Sequence, residues 1–150
     1  MDSIPRAEAP LADTKLDDDH FCFACGERNP DGLRLAFEYP EPGRCRAVFT
    51  PERRFQGWAG ILHGGIISTL LDEALAHAYG GPDRGAGEAA VTGELCVRFK
   101  KPVPIGVPAV LEGRVISVNG RLVEGESRIL DPAGTELAAA TGKLFKLKKA

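Results

Sequence analysis

Nothing in this 150-residue chain approaches the roughly twenty consecutive apolar residues that a membrane-spanning helix requires. The first twenty residues are acidic and lack the basic-then-apolar order of a secretion leader, so the expected compartment is the cytoplasm. An excess of charge of either sign is missing too. The 19 Lys and Arg stand against 21 Asp and Glu, a formal net charge of -2, which gives no electrostatic footing for nucleic acid or an anionic membrane surface. Cysteine is sparse, at positions 22, 25, 45 and 96, and a chain with 43% hydrophobic residues can bury a core without disulfides. Reduced thiols are therefore expected. No internal repeat or low-complexity tract interrupts the pattern.

The block His63-Gly64-Gly65 opens the apolar helical run 66–78, and Asp72 follows nine positions after the histidine. A helix N-terminus offers unpaired N–H groups and the positive end of the macrodipole, so it can hold a negatively charged oxygen. Glycine at that point removes the Cβ that would keep a ligand carbonyl away. One element thus carries an oxyanion donor and a carboxylate. Along an unbroken helix Gly64 and Asp72 lie about 12 Å apart, at 1.5 Å per residue, so one small carbonyl cannot touch both. If both serve one reaction, the second comes from another copy of the chain, and a homodimer becomes part of the functional hypothesis.

Residues 1–19, rich in Asp, Ala and Pro without periodicity, read as a flexible N-terminal arm, and 20–150 as one domain. Alternation over 33–38, a Pro-Glu-Pro-Gly turn at 40–43 and a second apolar run over 44–49 predict a hairpin. After the helix, strands are expected over 89–100, 107–118, 122–130 and 135–147, with Asn119-Gly120 as the strongest hairpin signal. The expected fold class is α+β, one long helix buried by an antiparallel sheet of about five or six strands that wraps it. On a helical wheel Ile66, Ile67, Leu70, Leu71, Ala74, Leu75 and Ala78 make the apolar face. The other side holds Ser68, Thr69, Asp72, Glu73, Ala76 and Tyr79 with no lysine or arginine, which suits close approach of another backbone.

Cys22-Phe23-Ala24-Cys25 is a lone C-x-x-C. A structural zinc site needs four ligands, and only His20 and two distant cysteines stand ready to complete one. Gly26, Asn29, Pro30 and Gly32 follow, which is turn chemistry rather than the helix start of a redox motif. The expectation is a packed turn with no metal. A metal or redox module ranks last among the readings.

The segment 55–74, the strand 91–104 with Thr92, and Cys22-Phe23-Ala24-Cys25-Gly26 with Asn29-Pro30-Asp31-Gly32-Leu33 together resemble the hotdog-fold thioesterases, in particular the phenylacetate-type (PaaI-like) acyl-CoA thioesterases. The resemblance covers most of the chain from residue 20 onward. It implies a central helix wrapped by a curved sheet, hydrolysis of acyl-CoA without metal or organic cofactor, and a homodimer with shared sites. Further assembly into a dimer of dimers is left open. By the same resemblance the Gly64 amide would bind the thioester carbonyl, Asp72 from the partner subunit would act as base or nucleophile, and Thr92 would help to place water. Many members of that family carry an asparagine or similar amide donor just before the histidine segment, whereas here Gln56 and Gly57 occupy that stretch, Gln56 either as donor or as pocket lining. Gln56 is therefore a candidate second donor, and Gly57 and Gly65 are candidate substrate contacts. Arg98, Lys100 and Lys101 are candidates for the CoA phosphates.

Each residue also has a plainer role. His63 is readily a structural group at the helix start, Thr92 a β-former, and the basic strand end a solvated cluster. Glu73 is the rival carboxylate, about 100° further round the helix. The competing functions are an acyl-thioester dehydratase or hydratase, which would pair His63 with Glu73, and a non-catalytic acyl-CoA binding protein.

Overall fold

The computed structural model describes residues 16–82 and 89–147. The proposed arm lies outside the described residues over 1–15, and residues 16–19 are exposed chain without regular structure. The apolar positions repeating at helical spacing form α1 (Gly64–Gly80), in which Ile67, Leu70, Leu71, Ala74, Leu75 and Ala78 are all buried. Five strands follow the alternating segments: β1 (Arg44–Phe49), β2 (Ala90–Phe99), β3 (Ala109–Asn119), β4 (Leu122–Leu130) and β5 (Glu136–Lys146). They make one antiparallel sheet in the order β1-β3-β4-β5-β2. This is the expected α+β hotdog arrangement, with one helix on one face of the sheet. The strand that follows the helix in sequence lies at the far edge from the strand that precedes it. Among the described residues, no helix is long and apolar enough to cross a membrane.

Close contact between helix and sheet depends on glycine. A Cβ at Gly113 would fall 2.3 Å from the Ala74 carbonyl oxygen, and one at Gly142 would fall 2.5 Å from the Leu75 side chain. Two sheet side chains then bond the helix backbone in the core. Ser127 Oγ donates to the Leu71 carbonyl at 2.8 Å, and Cys45 Sγ donates to the Ala74 carbonyl at 3.0 Å. Burial pushes the Cys45 pKa up to about 12, so it remains a thiol.

The hairpin expected over 33–38 and 44–49 is half formed. β1 is present, but the earlier segment contributes only an isolated bridge, Glu38 to Arg46. Leu33 and Leu35 donate instead to the carbonyls of Phe23 and Ala24, at 2.8 and 2.9 Å. Arg34 has φ 53, which breaks an extended run. The segment's backbone bonds are spent on the C-x-x-C loop.

Candidate active site

The loop before α1 is held on both sides. The Leu62 amide donates to the Val103 carbonyl at 2.9 Å and the His63 amide to the Phe55 carbonyl at 3.0 Å. His63 is the N-cap, with extended φ -60 and ψ 135, and its Nδ1 accepts from the Gly65 amide at 2.8 Å. Its carbonyl accepts from Ile66 and Ile67 at 2.9 and 3.0 Å. The Gly65 amide is thus committed within the chain. The Gly64 amide has no acceptor among the described residues. A methyl placed on Gly64 would lie 3.5 Å from the Phe99 ring, and that ring is 58% exposed. An open amide beside an exposed aromatic face therefore marks the helix start. Trp58, in the same loop, is 85% exposed.

Gln56 is half-buried beside this amide's loop. Its Oε1 accepts from the Gly60 amide at 3.1 Å, which fixes the side chain and leaves its NH2 group as the donor it can offer. Gly57 donates to the Ile61 carbonyl at 2.9 Å and closes the turn.

Eight residues along the same uninterrupted helix, Asp72 is half-buried and accepts from Thr92 Oγ1 at 2.6 Å on Oδ1. Thr92 reaches the helix side because the β2–β5 register shifts between Thr92 and Glu94. At Gly93 a Cβ would fall 2.3 Å from the Phe145 ring. Burial raises the Asp72 pKa above its ordinary value, the Thr92 hydroxyl lowers it, and the neighbouring Glu73 charge raises it again. Asp72 and Thr92, two of the candidate residues, are therefore in contact within one chain. The Gly64 amide sits about 12 Å away along the axis.

Glu73 turns to a different set of groups. Its Oε1 lies 3.1 Å from His77 Nε2, with both side chains nearly buried, and 4.0 Å from Cys22 Sγ. His77 Nδ1 meets the Tyr39 hydroxyl at 2.6 Å, and the Phe37 ring stacks on the imidazole at 4.0 Å. Within one chain His63 and Glu73 are not brought together. Neither His77 nor Tyr39 stood out in the sequence, although His77 lies four residues after Glu73, a helical contact distance.

Arg98 and Lys100 lie on the opposite face of the sheet. Arg98 pairs in register with Ala139, Cys96 with Thr141, and Lys100 forms an ion pair with Glu136. Glu112 and Arg128, and likewise Arg114 and Glu126, sit on that face as ion-paired neighbours. A groove of about 500 Å³ runs between these charges, and neither Gly64 nor Asp72 lines it. Within one chain the basic strand end therefore stands apart from the helix site. Lys101 is exposed just beyond β2.

The thioesterase superfamily pattern matches residues 59–138, which takes in the Gly64 turn, α1 and Thr92. The acyl-coenzyme A thioesterase THEM4 of Bos taurus is 32% identical over 120 residues, covering 75% of this chain and 47% of that one. The chain thus spans about half the length of that relative. Among solved structures, the thioesterase superfamily protein RHA08564 superposes with a TM-score of 0.74 at 28% identity, covering 93% of this chain and 70% of that one. The E. coli PaaI protein shares the fold with a TM-score of 0.70 at 19% identity, over 79% of this chain and 83% of that one.

Proposed function

The chain belongs to the thioesterase superfamily, and on that premise we propose that it hydrolyses an acyl-CoA thioester to the free acid and CoA in a site shared by two subunits. The Gly64 amide receives the thioester carbonyl oxygen at the positive end of α1. Asp72 of the partner subunit draws a proton from water through the carboxylate oxygen that Thr92 does not occupy. The hydroxide adds to the carbonyl carbon, negative charge collects on the oxygen at Gly64, and collapse expels the CoA thiolate, which takes the proton. Gln56 supplies a second donor near the carbonyl.

The observation that carries this reading is the Asp72–Thr92 bond at 2.6 Å. It aims a half-buried carboxylate from the same helix that begins with an open amide. The distance between the two ends asks for a second copy, and β2 offers the place for it. It is the last strand of the sheet, ten residues long, and among the described residues no strand pairs with its outer edge. A long open edge of this kind is a template for pairing with another chain. Hydrolysis is favoured over dehydration because, among the described residues of one chain, His63 Nδ1 is bonded to Gly65 and Glu73 to His77, so these two are not paired with each other.

The test is release of free thiol from short, medium, long and aromatic CoA esters, run with sedimentation to fix the oligomer. Turnover by a dimer supports the proposal. Ligand binding without thiol release from any ester would instead make the protein a binding module, and hydration of an enoyl-CoA without hydrolysis would replace the reaction.

A further inference from the structure

The C-x-x-C loop and the helix meet at a place that the hydrolytic reading does not use. Cys22 Sγ, Cys25 Sγ and a Glu73 carboxylate oxygen all lie within 4.8 Å of one another, and all three residues are half-buried. Sequence spacing offered only two ligands plus His20 and remote cysteines. Folding supplies the third from α1, fifty-one residues after Cys22.

We propose that Cys22, Cys25 and Glu73 form a zinc site that clasps the N-terminal loop to α1. Two thiolates and a carboxylate oxygen are ordinary zinc donors, and with three protein ligands the fourth position goes to water, which makes this an open site rather than the closed four-ligand kind. The sulfur pair selects zinc over magnesium or calcium, which prefer all-oxygen shells. Binding displaces one proton from each thiol, so uptake strengthens as pH rises.

The surroundings are built to hold these donors in place. The Gly26 amide donates to the Cys22 carbonyl at 2.8 Å, and a Cβ on Gly26 would fall 2.3 Å from the Cys22 nitrogen, so the turn that aims both sulfurs requires glycine. Asn29, itself buried, accepts from Asp31 at 3.0 Å and donates to the Phe21 carbonyl at 3.4 Å across the loop. On the helix side, His77 bridges Glu73 and Tyr39, with Nε2 3.1 Å from the carboxylate and Nδ1 2.6 Å from the hydroxyl. A ligating carboxylate fixed by an outer hydrogen bond is the usual support of a metal ligand. Cys45 and Cys96 take no part: the first bonds the Ala74 carbonyl in the core, and the second lies on the outer sheet face.

The experiment uses the full chain, purified without chelator and with a reductant, and reads zinc per chain by atomic emission. Apo-protein made with a chelator is then titrated with Co2+, and thiolate-to-cobalt absorption is recorded. Wild type should hold about one zinc per chain and develop the thiolate band at one equivalent, displaced by added zinc. The C22S/C25S double variant should lose both signals, and C96S should keep both. His77→Gln should weaken metal affinity by about 10- to 100-fold while leaving the thiolate band in place at saturation. The clasp is overturned if wild-type apo-protein shows no thiolate band, if the double variant retains zinc, or if mass spectrometry finds a Cys22–Cys25 disulfide in place of metal. The wild-type cobalt titration decides the matter even if the double variant fails to fold. None of these readouts depends on thioester hydrolysis.

Discussion

Thr92 Oγ1 donates to Asp72 Oδ1 at 2.6 Å, joining an edge strand to the half-buried side of the central helix. The bond leaves the second carboxylate oxygen to act, and it fixes the direction in which that oxygen points. The roles proposed for the two residues can therefore be separated by substitution.

Asp72→Asn keeps the shape and the contact with Thr92 but removes the base. Thiol release from the best CoA ester should fall by about 10² to 10⁴, with the thermal midpoint within a few degrees of wild type. Full activity in a folded variant would show that Asp72 is not the base.

Gly64→Pro deletes one N–H at the first helical position, where proline is well tolerated. His63 already has the extended ψ of 135 that a residue before proline adopts. The fold should survive while the rate drops by about 10² to 10³. Mixing this variant with Asp72→Asn and allowing subunit exchange should restore part of the activity, since each heterodimer contains one intact site. Mass-verified heterodimers with no recovered activity would place both groups in separate sites.

Burial raises the Asp72 pKa, and the base works only when ionised, so the acid limb of the rate profile should lie above the range of a surface carboxylate. Thr92→Val removes the hydroxyl contact that lowers this pKa, and the limb should move to still higher pH. The measurement is kcat/KM against pH for both proteins. A limb moving downward in the variant would contradict the assignment.

Gly113→Ala tests the helix–sheet contact without touching the site. The added methyl would overlap the Ala74 carbonyl oxygen at 2.3 Å, and overpacking of this kind costs about 1–3 kcal/mol. The urea midpoint should fall correspondingly. An unchanged midpoint would mean that the helix can shift away from the sheet at little cost.

Much of this arrangement was legible from residue order. Helical spacing and the two glycines located α1 to within two residues at either end, and Asn119-Gly120 marked the β3–β4 turn, where Gly120 adopts φ 59. Asp72 and Thr92 were both singled out, but their contact depends on a register shift beside Gly93 that alternation alone does not show. The strand expected over 33–38 failed for a related reason: its amides are claimed by Phe23 and Ala24, ten and eleven residues earlier, and Arg34 turns left-handed. The grouping of Cys22 and Cys25 with Glu73 is wholly non-local. Each half looked ordinary, one a turn and the other a helix acid, until the fold placed them side by side.

Ser127 and Cys45 grip the Leu71 and Ala74 carbonyls from the sheet, and this limits how the helix can rearrange. Turning it by a single residue, about 100°, would leave a hydroxyl and a thiol stranded in apolar surroundings, and a stranded buried donor costs about 1–3 kcal/mol. The azimuth of Asp72 is thus dictated from behind, by residues that never meet a substrate. Changes in pocket shape have to come from the mouth and its loops, because the shaft that carries the acid cannot roll.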